Sequence, residues 1–144
     1  MPEPLPVNTI LADLDAQWQS SNVVEPFFIE VTGNNEPIRF DLNRGDHVIG
    51  RAGSPAFDEE PIGNWKYGNR TYNVELELYT RSGRQRLYDL MAEIRRLCHN
   101  RKHALTNFQR QQFLGCDEES EEHANVWMGT VEIELVNNAV LLET

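Results

Sequence analysis

Long apolar runs are missing. No stretch of the 144 residues approaches the roughly 18 apolar side chains that a membrane-spanning helix needs. The opening Met-Pro-Glu-Pro-Leu-Pro has neither the basic n-region nor the apolar h-region of a signal peptide. The expectation is a protein with no membrane partner that is not exported by that route. Cysteine is scarce too: Cys98 and Cys116 stand alone, so a disulfide framework is excluded and a reducing compartment is the simpler setting. Basic charge is absent from the C-terminal end, where residues 111–144 hold 8 acidic side chains and no Lys or Arg. There is no internal repeat or low-complexity segment, and the length fits one domain with a real core.

The net charge of -10 is unevenly distributed. Residues 1–69 carry 4 basic and 11 acidic side chains, and residues 70–110 carry 9 and 4. An acidic whole argues against nonspecific nucleic-acid binding. Oppositely charged patches suit head-to-tail contact between copies. Neutralisation of the patches within one folded chain is the other open reading.

The clearest local signal runs from Asn69 to Lys102. Tyr72, Val74, Leu76 and Leu78 alternate with polar residues, which predicts a strand with one wet face. Leu87, Leu90, Met91, Ile94, Leu97 and Cys98 then follow at helical spacing, which predicts an amphipathic helix of about five turns. Ser82 and Gln85 have the spacing of a capping box at its start. Earlier, Val7, Ile10, Leu11, Leu14 and Trp18 predict a shorter helix, preceded by a proline-rich extended arm over residues 1–6.

Strands are expected over 27–32 and 38–42, with a short further run at His47 to Ile49. Residues 50–69 show no period and read as a long loop, whose Trp65 and Tyr67 either anchor a partner or fold back onto the sheet. A strand of modest quality over 108–114, an acidic loop over 117–122, and a strong strand from Trp127 to Leu135 complete the pattern. The tail 139–142 is apolar enough to extend the sheet or meet a neighbour. The fold class is α+β: a mostly antiparallel four- to five-stranded sheet with two helices packed on one face, in a single domain spanning 1–144.

Chemistry is harder to find. Cys98, His99, His103, Cys116 and His123 lie close in sequence, and His99 and His103 are at i, i+4. No CxxC pair is present, and Cys98 sits on the apolar stripe with His99 turned away from it, so no metal site is assigned. Gly50-Arg-Ala-Gly53 lacks the lysine of a phosphate loop, and Arg44-Gly-Asp46 is explained by turn chemistry. Nothing selects a catalytic residue or a cofactor, and the chain is not read as an enzyme. The long helix has unequal flanks. Arg86, Asp89, Glu93 and Arg96 can pair among themselves, whereas Arg84, Tyr88 and Arg95 share a flank without an acid. With Trp65 and Tyr67, these three are the candidate partner-binding residues.

The order of an N-terminal helix, a strand, an irregular stretch, Tyr72-Asn-Val-Glu-Leu-Glu-Leu, Arg84-Gln-Arg-Leu-Tyr-Asp-Leu-Met-Ala-Glu-Ile-Arg-Arg96 and a closing Val131-Glu-Ile-Glu-Leu135 resembles the tail-terminator or tail-completion (neck) proteins of tailed viruses. The resemblance covers most of the chain and includes no catalytic or ligand motif. It implies a virion structural protein, assembled in the host cytoplasm. Such a protein forms a homo-oligomeric ring, commonly a hexamer, at the head-proximal end of the tail. Its partners would be tail-tube and neck proteins, with DNA only a passing strand in the lumen. The strongly acidic ends depart from the family pattern and fit a salt-rich host or an acidic lumen. Two other classes stay open: a small cytoplasmic enzyme or ligand-binding domain with its site under loop 50–69, and a nucleic-acid-binding domain using Arg84, Arg95, Arg101 and Lys102.

Overall fold

Alternation along the central strands decides the architecture. The structure is a computed structural model, and it describes residues 6–19, 23–29, 45–62, 67–105, 108–119 and 126–141, with the side chains of Ser54, Ile62, Tyr67 and 138–141 excepted. The elements in chain order are α1 (Pro6–Gln17), β1 (Phe27–Ile29), β2 (His47–Ile62), β3 (Tyr67–Thr80), α2 (Arg84–Asn100), β4 (Arg110–Glu118) and β5 (Trp127–Leu141). Among the described residues the strands form a five-stranded sheet in the order β1-β2-β3-β5-β4. The short β1–β2 pair is parallel and the other three pairs are antiparallel. The fold is α+β, as the pattern of elements predicts.

Register explains which face is buried. Tyr72, Val74 and Leu76 pair with Leu135, Ile133 and Val131, and all six are buried. Cross-strand partners point to the same face, so these residues make one apolar surface. Both helices cover it. Gly50 pairs with Leu76, and a Cβ at Gly50 would collide with Val7 of α1. Gly129 pairs with Leu78, and a Cβ there would collide with Met91 of α2. Leu76 and Leu78 are two residues apart on one strand, which puts α1 and α2 on the same side.

The predicted stripes of both helices are the ones buried: Val7, Ile10, Leu11, Leu14 and Trp18 from the first, and Leu87, Leu90, Met91, Ile94, Leu97 and Cys98 from the second. Each fully buried aliphatic side chain contributes roughly 2 kcal/mol of transfer free energy. Trp18 closes the α1 end by donating its indole N–H to the Val23 carbonyl at 2.7 Å and by packing edge-on against Phe28. Within the C-terminal half of α1, Asp13 accepts from the Arg101 guanidinium with both carboxylate oxygens, at 2.7 and 2.9 Å, which ties the C-terminus of α2 to α1. Arg86 of α2 makes an ion pair with the buried Asp46 and donates to the Val24 carbonyl.

Three local expectations are corrected. The expected loop over 50–69 is strand wherever it is described: 50–62 continue β2 and 67–69 begin β3, with a register shift between Ala52 and Phe57, and 63–66 lie outside the described residues. The stretch lacks a period because residues 55–61 are exposed on both faces of the sheet, so neither face selects apolar side chains. Asn73 steadies the irregular part by donating to the Pro55 carbonyl at 2.9 Å. The capping box is also absent. The N-cap of α2 is Gly83, at φ 106°, without a side-chain cap, and the Ser82 amide is instead satisfied by Thr80 Oγ1 at 3.0 Å. Finally, the strand expected over 108–114 runs from Arg110 to Glu118, so two residues of the supposed acidic loop lie in a strand. The extended arm, apart from Pro6, and the strand over 38–42 lie outside the described residues.

Candidate assembly surfaces

Two surfaces emerge where charged side chains stand at the margins of the sheet. The first is on the N-terminal half of α2. Arg84 Nε donates to Glu118 Oε1 at 2.7 Å, and Tyr88 Oη donates to Glu118 Oε2 at 2.9 Å. The Arg84 guanidinium also lies 4.9 Å from the centre of the Trp127 ring, within cation–π range. Glu118 sits at the end of β4, so the acid absent from the helix is supplied by the neighbouring strand. This corrects the expectation that Arg84 and Tyr88 lack an acidic partner. The bond to Glu118 raises the Tyr88 phenol above its ordinary pKa, with the nearby Arg84 opposing.

Arg95 lies further along α2, about 16 Å from Arg84 by helical rise, and is exposed. It borders a groove of about 280 Å³ between α2 and β4, lined also by Cys98, His99, Lys102 and the β4 residues Gln111, Gln112 and Phe113. The backbone joins the two walls of this groove, because the Gln111 amide donates to the Lys102 carbonyl at 2.8 Å. Gln111 Nε2 donates to the Arg101 carbonyl, also at 2.8 Å.

The other candidate pair sits elsewhere. Tyr67 is the first residue of β3 and pairs with Ile62 and Leu141, at the opposite end of β3 from the turn into α2. Trp65 lies outside the described residues. The five predicted partner-binding residues therefore do not form one patch.

The region around Tyr67 is an arm. β4 stops pairing with β5 at Val136, and β1 pairs only with His47 to Ile49. Among the described residues the sheet thus narrows to β2, β3 and β5, and β5 continues through Leu141 alongside Tyr67. The apolar tail is an extension of β5 as far as Leu141. Phe57 is half exposed on this arm and contacts the Tyr72 ring at 5.9 Å. Arg70 lies over Phe57 at 5.3 Å and donates to Glu59 at 2.7 Å and to the Tyr72 hydroxyl at 3.1 Å. At its base Pro6, Val7, Ala52, Ala56, Phe57, Tyr72 and neighbouring strand residues line an apolar depression of about 180 Å³.

The face of the sheet away from the helices carries carboxylates. Glu75 stands directly opposite Glu132, and Asn73 opposite Glu134. Like charges facing each other across strands are unfavourable, and Arg51 offsets this by reaching Glu75 at 2.7 Å and Glu77 at 2.9 Å. Arg110 stands 3.7 Å from Glu134. Tyr79 on the same face donates to Glu77 at 2.6 Å, and burial together with that bond pushes its phenol up to about 12.

The residues weighed as metal ligands are dispersed. Cys98 is buried in the core, which pushes its thiol up to about 12, whereas Cys116 is exposed. His99 is exposed, and the His103 ring nitrogen Nδ1 lies 3.0 Å from the Gln109 carbonyl oxygen. Among the described residues no three such side chains gather to hold an ion, and His123 is outside them. The four cations weighed for nucleic acid are also not one stripe, since Arg84 is committed to Glu118 and Arg101 to Asp13.

The fold itself has a known counterpart. The chain is similar to a solved chain from the virion of the native gene transfer agent (GTA) particle, with a TM-score of 0.63 over 94% of this chain and 96% of that one, at 11% sequence identity. At that identity the likeness is one of fold. No protein-family profile matches the sequence, and no curated protein matches it.

Proposed function

We propose that this chain is a structural virion protein of a tailed, phage-like particle. In this reading it forms a ring at the head-proximal end of the tail, as a terminator to which the neck attaches. The observation that carries the reading is the likeness to a virion chain over nearly the whole of both molecules, in agreement with the order of elements read from the sequence. The role is one of assembly and is not enzymatic. A closed ring requires each copy to present two different surfaces, and the arm and the α2–β4 groove are two such surfaces, at opposite edges of the sheet among the described residues. A carboxylate-bearing sheet face and a net charge of -10 suit a lumen that lets DNA pass without holding it. In particles from its host, gold-labelled antibody against the chain is expected at the head–tail junction. Label along the tail tube, or confined to the soluble fraction, would overturn the reading.

A further inference from the structure

We propose that the acidic edge of the arm of one copy, centred on Asp58 and Glu60, docks into the basic α2–β4 groove of a second copy. The inference rests on the ring reading and names the contact that would build the ring. Its first support is topology. In the order β1-β2-β3-β5-β4, β2 beyond Ile49 and β4 are opposite edges of the sheet among the described residues. A chain therefore offers its arm on one side and its groove on the other, which is the head-to-tail geometry that closes into rings.

The second support is charge. Asp58, Glu59 and Glu60 are consecutive and exposed on β2. Glu59 is held by Arg70 on the Phe57 side of the arm, and strand alternation turns Asp58 and Glu60 to the other side. Neither has an ion-pair partner among the described residues. In the groove the positions are reversed. Arg101 is committed to Asp13, while Arg95 and Lys102, both exposed, have no ion-pair partner among the described residues. Two carboxylates spaced along a strand thus meet two cations, Arg95 on α2 and Lys102 in the turn that follows it. The exposed Gln112 and half-buried Phe113 supply hydrogen bonding and apolar contact at the groove wall. Such a contact gains orientation and partner choice from its charges, and added salt weakens it.

The test is sedimentation velocity of the full chain at low salt, comparing wild type with Asp58→Lys/Glu60→Lys, Arg95→Glu/Lys102→Glu and the fourfold variant combining both. All four substituted positions are on the surface, and thermal melts followed by circular dichroism check that each variant is folded. The expected result is wild-type self-association, weakened at least about tenfold in each double variant and restored in the fourfold variant, where reversed arm meets reversed groove. Association unchanged in both double variants would overturn the docking contact and leave the ring reading standing. Restoration in the fourfold variant as closed dimers would support the contact and overturn the ring. A wild-type chain that stays monomeric at every concentration would overturn both.

Discussion

Arg84 and Tyr88 share one acid, and both oxygens of the Glu118 carboxylate are occupied by them. This flank of α2 is therefore a satisfied cluster bridging helix and sheet, with the Trp127 ring beneath the guanidinium. In Glu118→Gln the Tyr88 phenol pKa is expected to fall back toward its ordinary value, because the charge that raises it is gone. Ultraviolet titration of the tyrosines, with Tyr88→Phe as the reference, measures this, and the melting temperature should change little for so exposed a pair. Tyr79 offers a contrasting case. Its phenol is pushed from 10.0 up to about 12, by burial first and by Glu77 second. A raised pKa favours the protonated folded state, so this contribution to stability is complete below pH 10.0 and is lost as pH rises toward 12. Cys98, raised from 9.0 to about 12 by burial, acts in the same direction over an overlapping window. Urea unfolding as a function of pH should show an alkaline decline that is shallower in Tyr79→Phe.

At the scale of elements, α1 rests on bare backbone at Gly50, where an added Cβ would meet Val7 and come within 3.0 Å of Leu11. Gly50→Ala should push the helix from the sheet and destabilise the fold by about 2 kcal/mol, since buried positions without free volume tolerate overpacking poorly. Gly115→Ala, where nothing lies within 4 Å of the new Cβ, should stay within about 0.5 kcal/mol of wild type, and urea midpoints compare the two. Both helices and the strands β3 and β5 were legible in the sequence because each buries one face, and burial of one face writes a local period. The outer part of β2 was not, because residues 55–61 are exposed on both sides and it is held by pairing with β3 across a register shift. The start of α2 at Arg84 was legible but its cap was not, because a capping box and a positive-φ glycine compete for the same turn, and Gly83 takes it. The partners of Arg84, Arg86 and Arg101 lie 34, 40 and 88 residues away, beyond any i, i+4 rule. Neither the arm nor the groove could be found without knowing that β2 and β4 are opposite edges.

For the whole molecule, the charge pattern along the sequence turns out to be divided between internal pairing and surface. Part of the basic middle segment is consumed within the chain, where Arg70, Arg84, Arg86, Arg96 and Arg101 all have acidic partners. Among the described residues, the charges without an ion-pair partner include Asp58 and Glu60 on the arm and Arg95 and Lys102 in the groove, at the two margins of the sheet. Copies arranged head to tail would bring those margins together and leave the carboxylate-bearing sheet face as a separate surface. Electron microscopy of the purified chain in negative stain, over a range of concentrations at low salt, tests this most directly. The account predicts closed rings of uniform diameter with a central opening. A uniform field of single subunits, or open chains that never close, would contradict it.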